Sequence, residues 1–90
     1  MGKLHEFSLK TEQTGVYNIT RTVIDTVRES GIENGIAVIY CPHTTAGITL
    51  NENTDTNVGL DLLLGIWQNV YFVEFDGPRE RKYYIKLVEC

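Results

Sequence analysis

Residues 41–53 read Cys-Pro-His-Thr-Thr-Ala-Gly-Ile-Thr-Leu-Asn-Glu-Asn, and they hold much of the chemistry the chain has to offer. His43 is one of two histidines in the sequence. A neutral imidazole suits metal ligation or general acid–base work. The structural alternative is a loop histidine bonded to a neighbouring carbonyl. Thr44 and Thr45 offer hydroxyls after a proline, suited to capping local backbone or to binding a phosphate or pyrophosphate. Asn51, Glu52 and Asn53 set a carboxylate between two amides, an oxygen donor set of the kind Mg²⁺ takes, or simply a polar loop. One histidine cannot hold a metal. His5 lies far away on a first strand, so further ligands must come from a segment this sequence does not hold or from another subunit.

Charge sharpens the problem. Residues 31–61 contain Glu33, Glu52, Asp55 and Asp61 and no Lys or Arg, so the whole net charge of −4 resides there. Such a surface repels phosphate by itself. A bound divalent metal reverses that field locally, or Arg79 and Arg81 are brought in from the C-terminal region. Arg79 follows a turn and can pair with Asp76 or Glu80 as an ordinary surface contact. Cys41 has no adjacent base and reads as a structural thiol.

The elements that must position these residues follow from periodicity. Leu4, Phe7 and Leu9 mark a half-buried first strand, and Glu12–Gly15 turns the chain. Ile19, Val23, Ile24 and Val27 fall at helical spacing, with Asn18 as N-terminal cap, Gly31 as left-handed stop and Ile32 folding back. Ile36–Cys41 is apolar on both faces and predicts a central strand covered on two sides. Pro42 ends it. Ile48–Glu52 resumes as a strand. Trp67–Phe75 and Arg79–Val88 flank Asp76-Gly77-Pro78 and predict a two-stranded hairpin. The class is α+β, one helix against a mostly antiparallel sheet.

Ninety residues, 42% of them hydrophobic and 22% charged, make one small ordered domain, 1–90. No run approaches the roughly 18 apolar residues of a membrane span, and no signal-peptide core is present. Two cysteines are too few for a disulfide framework, which points to a reducing, cytoplasmic location. Beyond Arg79, Arg81 and Lys82 no basic cluster exists, so nucleic acid is set aside as a partner.

At Cys41–Asn53, and again from Leu62 through Phe75-Asp76-Gly77-Pro78-Arg79 to Leu87, the chain resembles the YjbQ-like family, also called the secondary thiamine-phosphate synthase family. Ile66 departs from that family's threonine; Gly65, Trp67 and Gln68 fit. The resemblance implies a mostly antiparallel or mixed sheet with a packed helix, trimerising with sheets around a threefold axis. It implies a weak thiamine-phosphate synthase joining a pyrimidine pyrophosphate to a thiazole phosphate, with a divalent metal, Mg or Zn. In that reading Glu52 and the two Asn residues supply oxygen ligands. His43 is the acid–base or metal group, and Arg79 clamps phosphate, which its planar fork suits. Thr44, Thr45 and Gln68 line the phosphorylated ligand, while Trp67 packs. The alternative is a metal- or phosphate-binding homotrimer without significant catalysis. Family members carry a central segment absent here. Asp61 and Leu62 form the seam: residues to one side continue a helix and those to the other begin a strand with no turn between. The expectation is a segment missing near 61/62, omitted from this sequence rather than lost in nature.

Overall fold

The computed structural model describes residues 2–52 and 68–90. In chain order these form β1 (Gly2–Thr11), β2 (Gly15–Asn18), α1 (Thr20–Ser30), β3 (Gly35–Tyr40), β4 (Ala46–Glu52), β5 (Gln68–Glu74) and β6 (Arg79–Glu89). The α+β class with a single helix is what the described residues build.

Helix α1 stops where its sequence directs but starts one residue on from the predicted cap: Ile19, not Asn18, holds the N-cap position. Asn18 Oδ1 accepts the Thr20 N–H at 3.0 Å, satisfying an otherwise unpaired first-turn amide. Gly31, at φ 74°, turns the chain out of the helix and donates its N–H to Arg28 O at 3.2 Å. The apolar stripe faces inward: Ile19, Val23 and Ile24 are buried, and Val27 and Ile32 pack against the core. No helix among the described residues is long and apolar enough to cross a membrane.

The strands form two antiparallel sheets, in the orders β1-β6-β3 and β2-β5-β4. Their inner faces meet in one core. Val70 and Phe72 come from one sheet, Tyr83, Ile85 and Leu87 from the other, Val23 from the helix and Ile19 from the residue just before it. Phe72 and Tyr83 join the two layers, their ring centroids 5.9 Å apart.

Two expectations are corrected here. The hairpin predicted across Asp76-Gly77-Pro78 does not form: β5 pairs with β2 and β4, whereas β6 pairs with β1 and β3. The chain crosses from one layer to the other at that turn. Alternation inside each strand is the same whether neighbours pair or stack, so a local pattern could not separate the two outcomes. Nor is β3 a central strand. It lies at a sheet edge, with Ile36 58%, Val38 48% and Tyr40 57% exposed, and only Ile39 is half-buried. An all-apolar run marks what can be buried on both sides, and within one chain the outer side of β3 has no cover among the described residues. Strand β2, four residues paired with β5, gave no signal of its own.

Candidate functional site

Strand β5 alternates inward at Val70, Phe72 and Glu74, and β6 at Arg81, Tyr83, Ile85 and Leu87; all seven are buried. Each inward row therefore ends in a charge. A buried charge is tolerated only when paired and hydrogen-bonded, and these two pair with each other. Arg81 Nε donates to Glu74 Oε1 at 2.7 Å, and Arg81 Nη2 donates to Glu74 Oε2. Thr11, at the end of β1, adds its hydroxyl to Glu74 Oε1 at 2.7 Å, and Asp76 N–H adds a bond to Oε2 at 3.1 Å. The Arg81 guanidinium, outweighing burial and helped by Thr11 and Asp76, holds the Glu74 carboxyl at about 2, below its ordinary 4.5. Arg81 is pushed up in turn, chiefly by its bonds to Glu74.

This pair is a rivet between the layers, and it reaches the motif. Arg81 Nη2 also donates to Thr45 Oγ1 at 2.8 Å, while Phe75 N–H donates to Thr45 O at 2.9 Å. One residue further along β6, the Lys82 N–H donates to His43 Nε2 at 3.0 Å. Segment 41–45 thus lies along the start of β6, held at both His43 and Thr45. Cys41, half-buried, packs against the core, as a structural thiol should. Gly77 permits the approach of the neighbouring turns: a Cβ there would stand 2.8 Å from Glu74 Cγ and 2.9 Å from the Gln13 carbonyl carbon.

The predicted site residues divide into two groups. His43, Thr44, Thr45 and Arg79 gather at this end of the molecule. Arg79 is exposed and pairs with Asp76 at 2.7 Å, one of the two partners its sequence offered. Asn51 and Glu52 occupy the far end of β4, where Glu52 is registered opposite Gln68, whereas Ala46 at the near end is opposite Glu74. Six strand steps separate the two ends, about 20 Å. One chain does not bring Glu52 and Gln68 to His43 and Arg79. Asn53, the seam at Asp61–Leu62 and Trp67 lie outside the described residues.

Within the described residues the donor set does not fit a metal. Among the described residues no three His, Cys, Asp or Glu side chains come together to hold one. His43, the ligand expected from sequence, already uses Nε2 as an acceptor. Glu74, Arg81 and Thr11 were not foreseen as a unit. The signal available was a charge at an inward position of each of two otherwise apolar rows, which requires a partner without saying where it is.

A family model described as UPF0047 protein YjbQ-like matches residues 5–63 and, separately, 59–90. UPF0047 protein MJ1081 of Methanocaldococcus jannaschii is 33% identical over 129 residues, covering 94% of each chain. UPF0047 protein YugU of Bacillus subtilis is 36% identical over 122 residues, covering 87% of this chain and 92% of its own. Both alignments are longer than the 90 residues of this chain, so each relative has residues without a counterpart here. Among solved structures, an uncharacterized YjbQ/UPF0047 family protein of Clostridium acetobutylicum superposes with a TM-score of 0.83 at 36% identity, over 93% of this chain and 99% of its own. A protein of unknown function from Sulfolobus solfataricus shares the fold, with a TM-score of 0.85 at 21% identity over 100% of this chain and 99% of its own.

Proposed function

Since the chain belongs to the YjbQ-like UPF0047 family, we propose that it binds a small phosphorylated molecule at segment 41–45, beside the turn that carries Arg79. The observation behind this reading is the bond from Arg81 to Thr45. The acidic, base-free stretch 31–61 is hostile to phosphate on its own; Arg81, neutralised by Glu74, only fixes the Thr45 hydroxyl in place, and the cation left for an anion there is Arg79 at the start of β6. Arg79, exposed and held by one surface carboxylate, is free to exchange Asp76 for a phosphate at little cost. The test is phosphate- or pyrophosphate-dependent stability of the purified protein. An anion at a hundred times its Kd adds about 2.7 kcal/mol; no shift with either anion sinks the reading.

Weak thiamine-phosphate synthase activity is the finer form of this proposal and rests on the resemblance alone. Incubation with both precursors and Mg²⁺ must yield thiamine phosphate above a His43→Ala control. The separation of Glu52 from Thr45 along β4 favours the second reading: a binding protein, or a site completed by another copy. The exposed Ile36, Val38 and Tyr40, with Leu4 in register across Lys86 from Val38, support a homotrimer. Charged substitution at Val38 should then reduce the assembly to monomers in sedimentation. Free Cys41 and Cys90 agree with a cytoplasmic location. The split family match, meeting at residues 59–63, supports a missing central segment near 61/62. Peptide mapping that finds Asp61 joined to Leu62 in the natural protein refutes that.

A further inference from the structure

Strand β3 ends at Tyr40, opposite Tyr84, so the edge of β6 before Tyr84 has no strand partner on that side among the described residues. The Lys82 N–H points to that edge, and His43 Nε2 receives it at 3.0 Å, completing the ladder with a side chain. A backbone amide only donates, so Nε2 must present its lone pair. The neutral ring then carries its proton on Nδ1. Two residues on, Thr45 is fixed by the same logic. Its oxygen accepts from Arg81 Nη2, which leaves the hydroxyl proton to be donated elsewhere. Adjacent residues of β6, Arg81 and Lys82, therefore orient two donors on one short segment.

We propose that His43 is locked by Lys82 as the Nδ1–H tautomer and acts as a neutral hydrogen-bond donor to an oxyanion, not as an Nε2 metal ligand. The inference rests on the phosphorylated-ligand reading for its ligand and on the Lys82 bond for its tautomer. Two hydrogen-bond donors two residues apart on one segment, the His43 Nδ1–H and the Thr45 hydroxyl, suit an oxyanion better than a cation. Metal capture through Nε2 would also have to strip the Lys82 amide of its acceptor.

The experiment uses the intact protein labelled with ¹⁵N-histidine; only two histidines contribute, and His43→Gln identifies the second. Long-range proton–nitrogen spectra near neutral pH are expected to show Nε2 bare and Nδ1 protonated at His43. Sodium phosphate should shift the Nδ1 signal, and zinc chloride should leave both nitrogens unchanged. His43→Gln keeps a polar group at the ε position and should keep the Lys82 amide slow to exchange while weakening phosphate binding about tenfold. His43→Asn, too short to reach, should speed Lys82 exchange about fivefold, the value of one hydrogen bond. A bare Nδ1, zinc bound at Nε2 with release of the Lys82 amide, or full phosphate affinity in His43→Gln would each overturn the proposal. Phosphate that leaves the wild type unperturbed while Nδ1 stays protonated would overturn the phosphorylated-ligand reading and leave the tautomer lock standing.

Discussion

Replacing Glu74 by Gln keeps the side chain's shape and removes the charge that Arg81 pairs with. The carboxyl's folded value, about 2, lies below the 4.5 it has when unpaired. Folding therefore gains about 3 kcal/mol from its ionisation, at about 1.4 kcal/mol for each pH unit of displacement. The molecule is 16 Å through its shortest axis, so the pair is close to water although Glu74 is fully buried, and about 2–3 kcal/mol is the figure to test. A 90-residue domain has roughly 5–13 kcal/mol in all, which makes this a large fraction. Because the folded value is depressed, the contribution is complete above the unfolded value and disappears as pH falls through the folded one. The window runs from about pH 5 down to about pH 2. The assay is urea unfolding of wild type and Glu74→Gln at one protein concentration, from pH 7 to the lowest pH at which both remain soluble. The gap should be full at pH 7 and close steadily below pH 5. A gap under about 1 kcal/mol at pH 7, or one that does not change with pH, would refute the buried-pair account. The double substitution Glu74→Gln with Arg81→Met should cost less than Arg81→Met alone, which leaves a buried carboxylate without its cation.

Arg79→Ala separates site from scaffold. Its pair with Asp76 is exposed, so urea stability should move by less than about 0.5 kcal/mol. Phosphate affinity, read by calorimetry, should fall about tenfold with the loss of a charge-assisted bond. Gly77→Ala should destabilise by about 1–3 kcal/mol in the same urea titration, because the added methyl meets the Gln13 backbone rather than a movable side-chain tip. Phe72→Ala, at the fully buried junction of the two sheets, should cost about 3–5 kcal/mol, seen as a lowered Tm.

Some of the candidate site was legible before any coordinates. His43, Thr45 and Arg79 stood out by residue type, and the charge map showed that segment 41–45 would need a cation beside it to hold a phosphate. The Asp76–Arg79 pair was one of two contacts open to that arginine, being only three residues apart. Glu74 and Arg81 were harder. They are seven residues apart in sequence and join different sheets, and nothing local distinguishes a hairpin that pairs its strands from a turn that sends them into separate layers. The bond from Lys82 to His43 spans 39 residues and uses an amide that every residue type except proline carries, so no side-chain pattern could reveal it.

Local order in this protein was thus written into the sequence itself. Helix α1 with its Asn18 and Gly31 ends, the strand periods and the polar segment after Pro42 all depend on residues within a turn or two of one another. The pairing of strands was decided only by the tertiary fold. The alternation that makes β3, β5 and β6 amphipathic or apolar says how each must face, not which neighbour it must meet. That choice belongs to the core as a whole. The buried charges of Glu74 and Arg81 have to find each other within it, and in doing so they bring β6 alongside His43 and Thr45.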